Sequence, residues 1–201
     1  MTVLTKTFSN IPIDYDMLFA YLGIKDKREE FTPILKECLN EVLDKLSYRV
    51  CYCSFSVSKL CGGLDLSFTI SNSKKLNEHI KNCTEIIVFS STIGIEIDKL
   101  IKKYNHISPL KALIFEGIGT ERIESLCNAF CTFLTQEYSR QNKLLKSRFS
   151  PGYGDLPIET QKDIFKVLNP NKYIGLTLND SMLMSPSKSV TAIIGVYDKD
   201  L

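Results

Sequence analysis

EIIVFSSTIG, residues 85–94, sets the frame for the whole chain. After Glu85 the apolar residues run without a polar break, so a strand here has no side to show to water and belongs at the centre of a sheet covered on both faces. A strand with one wet face would alternate instead. The small residues that follow, SSTIG, read as a connection into a helix carrying Ile95, Ile97, Leu100 and Ile101. Such a turn can direct free backbone N–H groups at an anion. It lacks the lysine and glycine spacing of a phosphate-binding loop, and an ordinary strand-to-helix connection is the simpler reading.

Toward the N-terminus, residues 73–82 are helix-like, and before them the period drops to two. Cys51, Cys53, Phe55 and Val57 share one face, and Leu64, Leu66, Phe68 and Ile70 follow a Cys-Gly-Gly turn. This predicts an antiparallel hairpin with one covered face. Thr32-Pro33 forms a cap and first-turn pair, behind which Ile34, Leu35, Cys38, Leu39, Val42, Leu43 and Leu46 recur at helical spacing. PIDYDMLFAYLG (12–23) predicts a short helix with Asp14 as its cap and Gly23 ending it.

Toward the C-terminus, Ser108-Pro109 opens a helical pattern that runs to residue 139, interrupted by Gly117 and Gly119. Each glycine costs roughly 1 kcal/mol relative to alanine in a helix interior, so the pair marks either a break or the close approach of something else. IETQKDIFKVL (158–168) is helical and is stopped by Asn169-Pro170-Asn171. YIGLTL (173–178) and SVTAIIGVY (189–197) read as strands, with NDSMLMSPSK between them too long for a two-residue turn. The sum is an α+β fold, a mixed or antiparallel sheet flanked by helices, in one domain spanning residues 1–201.

Composition removes several classes of function. A net charge of +2 with acids and bases interspersed builds no field for nucleic acid or an anionic membrane. The N-terminus has no basic start followed by an apolar run, and no apolar stretch reaches membrane-spanning length, which predicts a cytoplasmic protein. The seven cysteines, at 38, 51, 53, 61, 83, 127 and 131, include no CxxC pair and are expected to be reduced thiols. Cys51 with Cys53, and Cys127 with Cys131, could each offer two metal ligands. The two histidines, His79 and His106, sit in no metal-type spacing, and no metal site is assigned. No nucleophile, base and orienting group stand out together, so stand-alone catalysis is not expected.

RFSPGYGDLP, residues 148–157, lies between helix-like stretches and concentrates unusual chemistry. Gly152 and Gly154 permit positive φ and leave peptide groups open to a ligand, and Ser150 is biased to extended geometry by the proline after it. Arg148 offers a planar fork for a carboxylate or phosphate, and Tyr153 a flat ring with a polar tip. Together they suit a small-molecule clamp. They equally suit a tight connection in which Tyr153 packs on the core and Arg148 pairs with a surface acid.

Residues 148–197 resemble the reactivation domain of cobalamin-dependent methionine synthase. The matching residues are Arg148, Pro151, Gly152, Tyr153 and Pro157, then Leu168, Gly175, Leu176, Thr177, Ser181, Met184, Pro186, Ser189 and Val190. Upstream the likeness is looser, resting on Thr92-Ile93-Gly94 and the helix carrying Glu124. The length is close to free-standing versions of the domain, which implies a separate subunit.

The resemblance implies a domain that binds S-adenosylmethionine and docks over the cobalamin of a separate methionine synthase or related corrinoid protein when the cobalt has been oxidised to the inactive cob(II) state. A flavodoxin-like donor supplies one electron, and the sulfonium methyl restores methylcobalamin. Arg148 would take the methionine carboxylate, Ser150, Pro151 and Gly152 would pass close to the ligand, and Tyr153 would face the cobalamin. Family members carry an acid on the long helix where this chain has Asn128, with Glu124 one turn earlier. Asp14 is a further acidic candidate, or a simple helix cap. The chain also ends without the family's tyrosine-containing tail. The alternative is a corrinoid-protein-docking module of the same fold with weak or no S-adenosylmethionine binding.

Overall fold

The structure, a computed structural model, describes residues 2–199. In chain order its elements are β1 (Leu4–Phe8), α1 (Tyr15–Tyr21), α2 (Arg28–Val42), β2 (Tyr48–Ser56), β3 (Ser58–Leu60), β4 (Gly63–Asp65), β5 (Ile70–Ser71), α3 (Lys74–His79), β6 (Glu85–Thr92), α4 (Glu96–Asn105), α5 (Pro109–Ser139), β7 (Lys143–Phe149), α6 (Thr160–Leu168), α7 (Pro170–Ile174), β8 (Thr177–Leu178), β9 (Met184–Ser185) and β10 (Ser189–Asp198).

The main sheet has the order β1-β2-β6-β10-β7, and every neighbouring pair is antiparallel. The α+β expectation holds, and β6 is the central, doubly covered strand that its apolar run demands. Ile87 and Phe89 point into one core with α1, α2, α4 and α5, while Ile86 and Val88 point into a second with α3, α6 and α7. All four are at most 1% exposed.

Several boundaries differ from the sequence reading, each for a local reason. The strand continues through Ser90, Ser91 and Thr92, because these small residues pair with β2 on one side and β10 on the other. The second helix begins at Arg28, ahead of the Thr32-Pro33 pair, and contains Pro33. Its extra turn is docked on α1: Arg28 pairs with Asp16 at 2.6 Å and lies over the Phe19 ring at 5.0 Å. Glu29 and Glu30 also favour the start of the helix dipole.

The Cys-Gly-Gly turn does make a hairpin, but of β3 with β4, while β2 pairs with β1 and β6. Alternation shows which face is covered; it does not name the neighbour. YIGLTL is mostly not strand. Pro170 opens a second helical turn, α7, which Gly175 ends, leaving β8 only Thr177 and Leu178.

α5 is one helix of 31 residues, capped by Ser108 as its sequence indicates. The glycines mark close approach rather than a break. A Cβ at Gly117 would stand 2.7 Å from the Leu22 side chain, and one at Gly119 would stand 2.9 Å from that of Lys188. The missing side chains let α1 and the segment before β10 lie directly on the helix. Among the described residues no helix is long and apolar enough to cross a membrane.

Candidate functional site

Arg148 reaches α5 through an irregularity in β7. Opposite β10, the register runs Ile194↔Arg148 and then Val196↔Leu145, so three residues of β7 span two of β10. Without that bulge Leu145 and Arg148 would face opposite sides, since side chains alternate along a strand. With it both face α5, and Phe149 turns into the second core. The same strand corrects the sequence reading, which had no strand before the loop. Its lysines suit a sheet edge, and Lys143 holds Glu85 at 2.8 Å.

Arg148 donates through Nη2 to Glu124 Oε2 at 3.1 Å and to Asn128 Oδ1 at 3.0 Å. Both acceptors project from consecutive turns of α5. The pair is only partly wet, with side-chain exposures of 23% for Arg148 and 32% for Glu124. A cavity of about 330 Å³, lined by Asn128, Cys131, Leu145, Lys146 and Arg148 among others, adjoins it.

Asn128 also lines a larger groove of about 880 Å³ on its other side, between α5 and residues 11–17. Its wall is fixed by a buried ion pair that sequence reasoning missed. Glu121 and Arg122 are both 0% exposed. Arg122 binds both carboxylate oxygens of Glu121 and donates to the carbonyls of Ile11 at 2.8 Å and Pro12 at 2.6 Å. Glu121 Oε1 in turn accepts from Ser125 Oγ at 2.7 Å and from the Asp14 N–H at 3.0 Å. Burial is the largest single influence on Arg122 and would lower its pKa, but the hydrogen bonds and charges of Glu121 and Tyr48 together outweigh it and raise it. The Asp14 carboxylate accepts from Met17 N–H at 2.9 Å, so the helix-cap reading holds, and the residue also lines the groove.

Tyr21, at the end of α1, is a second residue the sequence did not single out. Its pKa is raised first by burial and then by Glu124 and Glu121, with Asp14 adding and Arg148 opposing. Among those charges the largest influence is Glu124, the acid paired with Arg148. The signal for it in the sequence is its place at the end of the PIDYDMLFAYLG helix, on the same short element as Asp14.

The loop is stapled at its far end. Asp155 accepts from Ser73 Oγ and from the N–H groups of Lys74 at 2.8 Å and Lys75 at 3.1 Å, and these contacts hold its pKa below the usual carboxylate range. Inside the loop the Gly152 N–H donates to the Leu156 carbonyl and the Tyr153 N–H to that of Ser150, so two peptide donors expected to be open are closed into turns. Gly152 and Gly154 do have positive φ, 85° and 64°. Tyr153 is 68% exposed and meets the buried Phe149 edge-on at 5.3 Å. Ser150 and Pro151 line a separate cavity beside β10. Arg148 and Asp14 thus line adjoining cavities that meet at Asn128, with Glu124 bound to Arg148, while Ser150 and Pro151 line a third and Gly152 and Tyr153 line none of them.

The thiols near the site are poor nucleophiles. All seven cysteines are free, and burial pushes Cys127 up to about 12. Cys131 is raised as well, again chiefly by burial.

Residues 74–199 match the family model described as vitamin B12 dependent methionine synthase, activation domain. Among solved structures, the fold is similar to the reactivation domain of MetH bound to AdoHcy, with a TM-score of 0.69 and 18% identity, covering 97% of this chain and 78% of that one. No curated protein matches significantly.

Proposed function

Because the chain belongs to the vitamin B12 dependent methionine synthase activation domain family, we propose that it binds S-adenosylmethionine and serves as a reactivation subunit for a separate corrinoid enzyme. The observation that carries the reading is the partly buried Arg148–Glu124 pair, set between two cavities that meet at Asn128. An α-amino acid is itself a paired cation and anion. Its carboxylate can replace Glu124 on the Arg148 fork, and the released Glu124 can take its ammonium, so no charge is left uncompensated.

S-adenosylmethionine needs no acid or base to transfer its methyl, since the sulfonium is already activated. The chain's contribution is to hold and orient it. Glu124 and Asp14 would supply the negative charge that favours the sulfonium and the ammonium. Tyr153, exposed and braced on Phe149, suits contact with a flat apolar partner surface. The MetH neighbour's AdoHcy is the demethylated form of the proposed ligand.

A second reading also has an observation behind it. Arg148 is already engaged by Glu124 and Asn128, and Asn128 is neutral, which favours a docking module with weak ligand affinity. A reconstituted assay separates the two. Oxidised corrinoid enzyme, a flavodoxin-like one-electron donor and S-adenosylmethionine should regain methylcobalamin absorption only when this protein is added. Recovery that is independent of the protein contradicts the reactivation role.

A further inference from the structure

Neither histidine has a metal-type spacing, yet one of them holds the strand that presents Arg148. Between Leu145 and Arg148 of β7, Lys146 and Ser147 stand together opposite the single residue Gly195 of β10. Two residues against one make a β-bulge, which takes peptide groups out of the ladder and leaves them to find other partners. The Ser147 carbonyl is taken by His79, whose imidazole Nε2 lies 2.8 Å from it. A carbonyl oxygen can only accept, so Nε2 carries the proton and donates.

His79 ends α3, a helix fixed in the second core by the buried Leu76 and, just beyond its end, Ile80. The N-terminal end of the same helix holds Asp155. One short helix therefore grips the chain on both sides of the loop, through Ser147 before it and Asp155 within it. The His79 ring also lies 5.1 Å from that of Phe149, the residue on which Tyr153 is braced. Gly195 allows this close approach. A Cβ there would stand 2.6 Å from the Cys83 sulfur, 3.0 Å from the Ile80 side chain and 3.2 Å from that of Lys146. Any larger residue would push the bulge and the end of α3 apart.

We propose that His79 is a positioning residue for Arg148: its hydrogen bond to Ser147 holds the β7 bulge and so keeps the guanidinium turned toward Glu124 and Asn128. His79 acts through the backbone. With the bond lost, the bulge is free to relax toward regular pairing, in which alternation carries Arg148 toward the opposite face. The consequence for ligand binding rests on the proposed function, whereas the effect on Arg148 does not.

The test begins with the free, isotope-labelled protein. The Arg148 side-chain Nε–H NMR signal, assigned by its loss in Arg148→Lys, reports the pair with Glu124, and Glu124→Gln gives its position once that ion pair is broken. His79→Phe keeps a ring against Phe149 but has no N–H to donate, and should move the signal toward the Glu124→Gln position. His79→Gln, whose amide nitrogen can stand where Nε2 does, should return it to the wild-type position, which a general loss of packing would not allow. A signal unmoved in His79→Phe, or moved and not restored in His79→Gln, overturns the proposal. Should His79→Phe fail to fold, His79→Asn, with an amide too short to reach Ser147, carries the same comparison.

Calorimetry then reads the consequence. Binding of S-adenosylmethionine should weaken roughly two- to tenfold in His79→Phe, as for the loss of one hydrogen bond, and recover in His79→Gln. Added to Arg148→Ala, His79→Phe should cause no further loss, because it acts through the residue already removed. Losses that multiply would contradict the proposal. A wild-type protein that binds no S-adenosylmethionine would sink the ligand reading above and leave the Arg148 signal to decide this inference.

Discussion

Arg148 and Glu124 meet at 3.1 Å across the gap between the sheet's edge strand and its longest helix. The contact depends on two backbone features distant from each other in sequence. The β7 bulge turns Arg148 toward α5, and the unbroken course of α5 past Gly117 and Gly119 brings Glu124 and Asn128 to meet it. The pair is therefore a product of the fold rather than of the RFSPGYGDLP loop alone.

Asn128 stands where a carboxylate would strengthen the site's preference for cations. Asn128→Asp should raise the affinity for S-adenosylmethionine relative to S-adenosylhomocysteine, which lacks the sulfonium charge, by roughly 1 kcal/mol for one added partly screened charge. Parallel calorimetric titrations of the two ligands check it. An unchanged ratio would place the sulfonium away from Asn128.

The Glu121–Arg122 pair holds residues 11–14 against α5. Arg122→Met leaves a buried carboxylate without its counter-charge, so the loss in urea unfolding should be about 3–5 kcal/mol. The double replacement Glu121→Leu with Arg122→Met should recover part of that loss, because it removes both buried charges together. A single variant as stable as wild type would contradict the burial described above.

How much of this was legible beforehand depends on the kind of signal. The central strand was readable over its apolar part, 85–89, because its core is two-sided and its composition says so, whereas Ser90–Thr92 read as a connection, and Ser108-Pro109 was readable because a cap and a proline act locally. Arg148 stood out from the chemistry of its loop, Glu124 and Asn128 were named from family likeness, and the three do converge. The edge strand 143–149 was not legible, since its lysines read as a solvated face when a half-exposed strand shows the same residues. Glu121 and Arg122 were hidden for the opposite reason: charged neighbours on a long helix usually face water, and only the folded N-terminal segment shows that these do not. Partner choice for β2 required knowing where β1 and β6 lie, which no local pattern carries.

Close approach at Gly117 gives a stability prediction with opposing terms. Gly117→Ala gains roughly 1 kcal/mol of helix propensity, but its Cβ would meet the Leu22 side chain at 2.7 Å. Overpacking of a tight contact costs about 1–3 kcal/mol, so net destabilisation of about 1 kcal/mol is expected. A denaturant midpoint above wild type would show that α1 yields freely. Because α1 carries Tyr21, and Asp14 caps it, the same variant should weaken ligand binding.

Alkaline pH should destabilise the protein. Burial pushes Cys38 up to about 11 and Cys51 and Cys127 up to about 12. In the unfolded chain these thiols ionise at their ordinary value, so above it the unfolded state releases protons that the native state retains. The stabilising contribution is fully present below the unfolded pKa and is lost as pH rises toward the folded values, at up to about 1.4 kcal/mol per pH unit for each thiol. Urea midpoints from pH 7 to pH 10 should fall beginning near pH 9. Under native conditions iodoacetamide should modify the exposed Cys61 first and Cys127 last.

The central claim is that Arg148 is a carboxylate clamp, and calorimetric titration with S-adenosylmethionine of the wild-type protein and of Arg148→Ala tests it most directly. Charge-assisted hydrogen bonds of this kind are worth about 1.5–3 kcal/mol, so saturable binding by the wild type should weaken roughly ten- to hundredfold in the variant. Unfolding stability should change little, because the pair is partly exposed. Equal binding by both proteins, or no heat from either, would contradict the account.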